Sequence, residues 1–205
     1  MSSKNFFIRK AAVLGTGVMG SRIAAHLANA DVPVILFGMS EDSGIPNADP
    51  AKALAGLRKT DPGAFVTRDR GAYVDVGYYE RDMDRLKSCD LIVEAVAEDW
   101  SVKQDLYQKI APHIGPDTIV ASNTSGLSIN QLAGLLPEAV RGNFCGMHFF
   151  NPPRYMSLIE LIPGRQTEPA MLDNLESWLV GRLGKNIVRA KDTQSFVANR
   201  IGLFS

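Results

Sequence analysis

Lys10-Ala-Ala-Val-Leu-Gly15-Thr16-Gly17-Val18-Met19-Gly20 is the stretch that decides the fold. Lys10 to Leu14 is a short apolar run of β type, and it enters a loop with glycine at the first, third and sixth places. Ile23, Ala24, Leu27 and Ala28 then recur at helical spacing. Pro33 to Phe37 reads as a second buried strand. Strand, glycine loop, helix and strand within about 30 residues make a βαβ unit. Gly15 permits the tight turn, Gly17 lets backbone approach a diphosphate, and Gly20 allows close packing of helix on strand. The helix N-terminus offers N–H groups to phosphate charge, so Gly15, Thr16, Gly17, Val18, Met19 and Gly20 are expected to bind a dinucleotide.

Such units usually end the second strand on an acid that accepts from the adenosine ribose. Here Phe37 is followed by Gly38-Met39-Ser40-Glu41, and the acid is missing from its place. Glu41 reads as a solvated loop acid. No Arg or Lys lies between Phe37 and Pro50 to neutralise a 2′-phosphate, which leaves NAD as the expected cofactor, weakly held. On this reading Gly38→Asp should tighten NAD about tenfold, worth about 1.4 kcal/mol.

Outward from this unit the alternation of strands and helices continues. Gly38 to Arg85 is looser and turn-rich, with one short helix over Ala51 to Leu57, and reads as an excursion from the sheet. Further strands fit Asp90 to Val96, Thr118 to Ser122, Phe144 to Phe149, Leu158 to Ile162 and Asn186 to Arg189. Helices fit Val102 to Ile110, Ser128 to Leu136 behind a capping serine, and Pro169 to about Leu183. The expected class is α/β, a Rossmann-like, doubly wound and mostly parallel sheet with helices on both faces. Residues 1–191 are expected to form this domain. Residues 192–205, ending in an apolar run without a polar tail, read as the start of a connection to a further domain.

Composition removes several classes of function. Lys+Arg and Asp+Glu both total 22 in 205 residues, so no positive field favours nucleic acid or anionic lipid. No run approaches the ~20 apolar residues of a membrane span, and the N-terminus lacks the apolar core of a signal peptide. Cys89 and Cys145 have no metal or redox spacing, which suits packing in a reducing cytoplasm, and no metal site is expected.

Two polar stretches stand out from the alternation. His148-Phe-Phe-Asn151-Pro152 ends a strand and projects polar groups toward the carboxyl edge of the sheet. Glu160 lies within Leu158-Ile-Glu-Leu-Ile162, where an unpaired carboxylate is costly to bury, so it needs a partner such as His148. An imidazole with an orienting carboxylate is a general base, and beside a dinucleotide it points to oxidation of an alcohol by hydride transfer. Ser122-Asn123-Thr124-Ser125-Gly126 reads either as a helix-capping loop or as a contact to cofactor or substrate. His26 and His113, on helical stretches without an acid motif, read as surface residues.

These motifs together resemble the NAD-binding domain of L-3-hydroxyacyl-CoA dehydrogenases, including the dehydrogenase part of multifunctional fatty-acid oxidation enzymes. The resemblance runs through Val13 to Gly20, Leu91 to Glu98, Ala121 to Ser125, Gly146 to Pro152, Leu158 to Glu160, Lys191 to Thr193 and Phe196 to Arg200. It implies NAD-dependent oxidation of 3-hydroxyacyl-CoA, with His148 as base, Glu160 as its partner, and Ser125 and Asn199 touching substrate. Val96, Ala97, Glu98, Lys103, Asn123, Ser125 and Asn151 would touch the cofactor. It also implies a helical C-terminal domain that pairs two subunits. Departures are Gly38, and Gln194 where proline is usual. The rival readings are another β-hydroxyacid dehydrogenase, whose family relies on a catalytic lysine, and a nucleotide-holding domain without turnover.

Overall fold

In the computed structural model, residues 6–193, 195–197 and 200 are described. The apolar runs read above become eight strands in one sheet, ordered β3-β2-β1-β4-β5-β6-β7-β8. β1 (Ala11–Leu14) lies between β2 (Val34–Gly38) and β4 (Leu91–Glu94), parallel to both. β5 (Ile119–Ser122) and β6 (Phe144–Phe149) continue the parallel order. Strand order reverses between β1 and β4, which opens a groove at the carboxyl edge of the sheet.

β7 (Leu158–Pro163) departs from this order. The chain returns from β6 through a turn too short for a crossover helix, so β7 runs antiparallel to β6. β8 (Asn186–Arg189) follows α6 (Pro169–Leu183) and pairs parallel to β7. Pro169 opens α6 and Gly184, at φ 64°, closes it.

Alternate side chains divide the core. Val13, Leu36, Val93, Ala121 and Met147 face α1 (Val18–Asn29) and α6, whereas Leu14, Phe37, Ile92 and Val120 face α3 (Trp100–Ile110) and α4 (Ile129–Ala133). Helices therefore cover both faces, and strands buried on both sides read as nearly continuous apolar runs. Each fully buried Leu or Ile contributes about 1.5–3 kcal/mol through apolar surface removed from water.

The excursion after β2 contains α2 (Pro50–Leu57), as expected, and also β3 (Val74–Tyr78), which the sequence reading missed. β3 pairs parallel to β2 from Val34↔Val74 to Gly38↔Tyr78. Gly77 makes the contact possible, because a Cβ there would stand 2.9 Å from the Phe37 ring. The helix expected from Ser128 to Leu136 is shorter, ending at Ala133, and α5 (Glu138–Arg141) follows it.

Candidate active site

The glycine loop packs against the end of β4. Gly15 has φ +115°, and a Cβ there would lie 2.5 Å from the Ala95 carbonyl oxygen. A Cβ on Gly20 would lie 2.0 Å from the Gly15 oxygen, so glycine alone lets α1 start this close to the strand. Gly17, the N-cap of α1, has nothing within 4 Å of its Cβ position and supplies no capping side chain. The loop is thus tight against the protein and open toward the groove, a cradle that fits a diphosphate.

At the β2 end of the groove the expectation for Gly38 is corrected. A Cβ on Gly38 would stand 2.2 Å from Ala48 O, 2.6 Å from Thr16 Cγ2 and 2.9 Å from Pro50 Cδ. The strap from Met39 to Asp49 fills the space, held by Met39 N donating to Ala48 O at 2.9 Å and Thr16 Oγ1 donating to Asn47 O at 2.7 Å. An aspartate would meet backbone before it met a ribose. Glu41 sits outside in solvent, paired with Lys52 at 2.8 Å.

Past β4 the groove is lined by polar groups that already have partners. Val96 and Ala97 carry the chain from β4 to Glu98. Glu98 Oε1 accepts from Thr124 Oγ1 at 2.5 Å, from Ser125 N at 2.7 Å and from Gly126 N at 3.2 Å. Burial works to raise its pKa, but the Thr124 hydroxyl, the Lys103 charge and the Ser125 N–H outweigh burial and hold the carboxyl below its ordinary value. Asn123 Oδ1 accepts from Phe149 N at 2.9 Å, tying the end of β5 to the residue after His148.

Lys103 is buried behind the Glu98 carboxylate. Its side chain is 1% exposed, with Nζ 2.6 Å from Glu94 Oε1 and 3.4 Å from Glu98 Oε2. Glu94, also buried, accepts further from Val96 N and Ser122 Oγ. Lys103 thus links the buried Glu94 to Glu98 at the groove. Sequence reading overlooked Glu94, although a carboxylate ending Leu91-Ile-Val-Glu94 carried the same signal as Glu160.

His148 and Glu160 meet directly. They are register partners across the antiparallel β6–β7 pair, and Nδ1 lies 2.9 Å from Glu160 Oε2. Glu160 is 1% exposed, and its Oε1 accepts from Val197 N at 2.9 Å. The carboxylate accepts and Nδ1 donates, which leaves Nε2 as the acceptor nitrogen of the ring. Phe150 and Phe196 pack on the imidazole, with centroids at 4.6 and 5.9 Å. Asn151 follows in the turn, where its Oδ1 accepts from Arg22 Nη1 at 2.8 Å. Two residues given no site role in the sequence reading brace neighbouring segments. Lys185 Nζ donates to Met156 O at 2.7 Å, and Asp192 accepts from the Ile129 and Asn130 N–H groups at the start of α4, both at 2.9 Å.

Of the residues expected at the site, only Asn199 cannot be placed, since it lies outside the described residues, as does Gln194. His26 is corrected: it is 8% exposed, on the inner face of α1 and edge-on to Phe149 at 6.4 Å. Among the described residues neither ring nitrogen finds a hydrogen-bond partner, and burial, with Lys185 and Arg154 nearby, lowers its pKa to about 3. His113 is partly exposed beside Asp84. Cys89 and Cys145 are buried free thiols, pushed up by burial to about 11 and about 12.

Residues 10–193 match the family model described as 3-hydroxyacyl-CoA dehydrogenase, NAD binding domain. A Bacillus subtilis protein named "Probable 3-hydroxyacyl-CoA dehydrogenase" is 39% identical over 212 residues, covering 96% of this chain and 27% of its own length. A Deinococcus radiodurans protein of the same name is 40% identical over 202 residues, covering 96% of this chain and 57% of its own. The crystal structure of (S)-3-hydroxybutyryl-CoA dehydrogenase from Ralstonia eutropha superposes with a TM-score of 0.79 at 32% identity, covering 95% of this chain and 68% of that one. The chain thus spans about a quarter to somewhat over half of these two sequence relatives. With the glycine cradle, the reversal of strand order and the family match in agreement, the chain belongs to the NAD-binding domain family of the 3-hydroxyacyl-CoA dehydrogenases.

Proposed function

We propose that the protein oxidises L-3-hydroxyacyl-CoA to 3-ketoacyl-CoA with NAD, in fatty-acid β-oxidation, using His148 as base. One observation carries this reading: the buried His148 Nδ1–Glu160 Oε2 contact of 2.9 Å at the carboxyl edge of the sheet. The relatives named as 3-hydroxyacyl-CoA dehydrogenases support the substrate class.

The bound nicotinamide would supply a hydride acceptor, and the chain supplies the rest. Gly15 to Gly20 would cradle the diphosphate. Val96, Ala97, Glu98, Asn123, Ser125 and Asn151 would line the nicotinamide half, with Lys103 acting beneath Glu98. The substrate hydroxyl would lose its proton to His148 Nε2. Glu160 would fix the ring by Nδ1 and stabilise the imidazolium as it forms, and general-base assistance of this kind contributes about 10²–10⁴-fold. Ser125 would hold substrate oxygen, joined by Asn199. Residues 1–191 would form the cofactor domain, and residues 192–205 would lead to a helical domain that completes the acyl-CoA site and pairs two subunits. We place the protein in the cytoplasm on its free buried thiols; no helix among the described residues is long and apolar enough to cross a membrane.

Glu160→Gln keeps the side-chain shape and removes the charge. In the full-length enzyme, assayed with acetoacetyl-CoA and NADH, it should lower kcat by about 10²–10⁴-fold at unchanged fold. Wild-type kcat in this variant would remove the carboxylate from the mechanism.

A further inference from the structure

Arg22 stands one helical turn beyond Val18 on the same face of α1, about 6 Å along the axis. Val18 opens α1 directly after Gly17 of the glycine loop and is 62% exposed, so this face of the helix start is open beside the loop. Helical side chains lean toward the N-terminus, which carries the Arg22 guanidinium over the first turn, where the diphosphate cradle lies. There Nη1 donates to Asn151 Oδ1 at 2.8 Å, from α1 across to the turn that follows His148. Among the described residues no carboxylate lies within ion-pair distance of Arg22, so none of them neutralises its charge. A guanidinium has no acceptor atom, so the Asn151 amide must turn its oxygen to Arg22 and keep Nδ2 for another partner.

We propose that Arg22 is a cofactor-binding residue: its guanidinium grips the diphosphate of the dinucleotide at the first turn of α1, and Asn151 holds it there. This rests on the groove being the dinucleotide site, as read above. A planar fork of N–H donors suits two phosphate oxygens, and a cation adds to what the helix N-terminus offers. Its place also fits the other end of the groove, where Gly38 presents no carboxylate to the ribose. Affinity withheld there is supplied over the diphosphate instead.

Calorimetric titration of NADH into the protein and its variants, at low and at high NaCl, tests this. Arg22→Gln should weaken binding about tenfold to a hundredfold, the loss of a charge-assisted contact, and flatten the salt dependence. Arg22→Lys should recover part of the affinity. Equal affinity or an equal salt slope in Arg22→Gln overturns the proposal. So does an Arg22→Lys affinity no better than that of Arg22→Gln, because a cation at that place would then add nothing. Failure of the wild-type protein to bind NADH would instead overturn the reading of the groove.

Discussion

At the β4–β6 end of the groove Glu98, Asn123 and His148 each meet a partner within 2.9 Å, whereas at the β2 end Gly38 is closed in by Ala48 O, Thr16 Cγ2 and Pro50 Cδ. The first end is built on carboxylates, Glu94 and Glu160 buried and Glu98 partly exposed, each of which already accepts from neighbouring groups. The second carries no carboxylate at Gly38, and the chain packs on itself there. Positions that hold reacting groups need their geometry set in advance, and a misplacement there costs rate. Positions that add only affinity can be replaced by contacts elsewhere along the same ligand.

The sharpest way to break this comparison is Lys103→Met. It would leave Glu94 buried without its cation, and removing one member of a buried pair costs about 3–5 kcal/mol. Denaturant unfolding should show this loss, and Glu94→Gln combined with Lys103→Met should restore much of it. A loss near zero in the single variant would mean that the floor of the prepared end does not depend on the pair.

Gly38→Asp probes the opposite end. The new side chain would press on Ala48 O and Thr16 Cγ2. Overpacking of this kind costs about 1–3 kcal/mol, and NADH binding should gain nothing. This reverses the tightening that the bare sequence suggests. Tighter binding in the variant would show that the strap yields readily and that the ribose site survives beneath it.

His26 tests how firmly the turn beside the dyad is seated, since its ring packs on Phe149. Its folded pKa of about 3 lies below the ordinary 6.5, so the folded protein binds fewer protons than the unfolded chain. Stability is therefore fully present above pH 6.5 and is lost as pH falls toward 3. At pH 5 the loss amounts to about 2 kcal/mol. His26→Leu should flatten the fall in melting temperature over that interval, and an unchanged acid slope would place its cause in other groups.

Much of the fold was legible because its signals are local. The Lys10–Gly20 stretch names its own turn and helix start, and β6, α6 and β8 end where their apolar periodicity ends. β3 was not legible, because five residues with a glycine among them carry too little alternation, and only β2 makes them a strand. The dyad was legible through cost: a carboxylate among Leu and Ile must find a partner. The same argument applied to Glu94 would have found Lys103.

The sequence by itself determined the strand–helix alternation, the glycine cradle and the chemical types at the site, because periodicity and turn chemistry are properties of neighbouring residues. Tertiary structure alone decided that Gly38 lies beneath Ala48, that Lys103 sits under Glu98, that His26 is enclosed and that Arg22 reaches Asn151. Each of these depends on which distant segments share a face or an edge of the sheet. Burial and partnership are set by that packing, and no local pattern of residues encodes them.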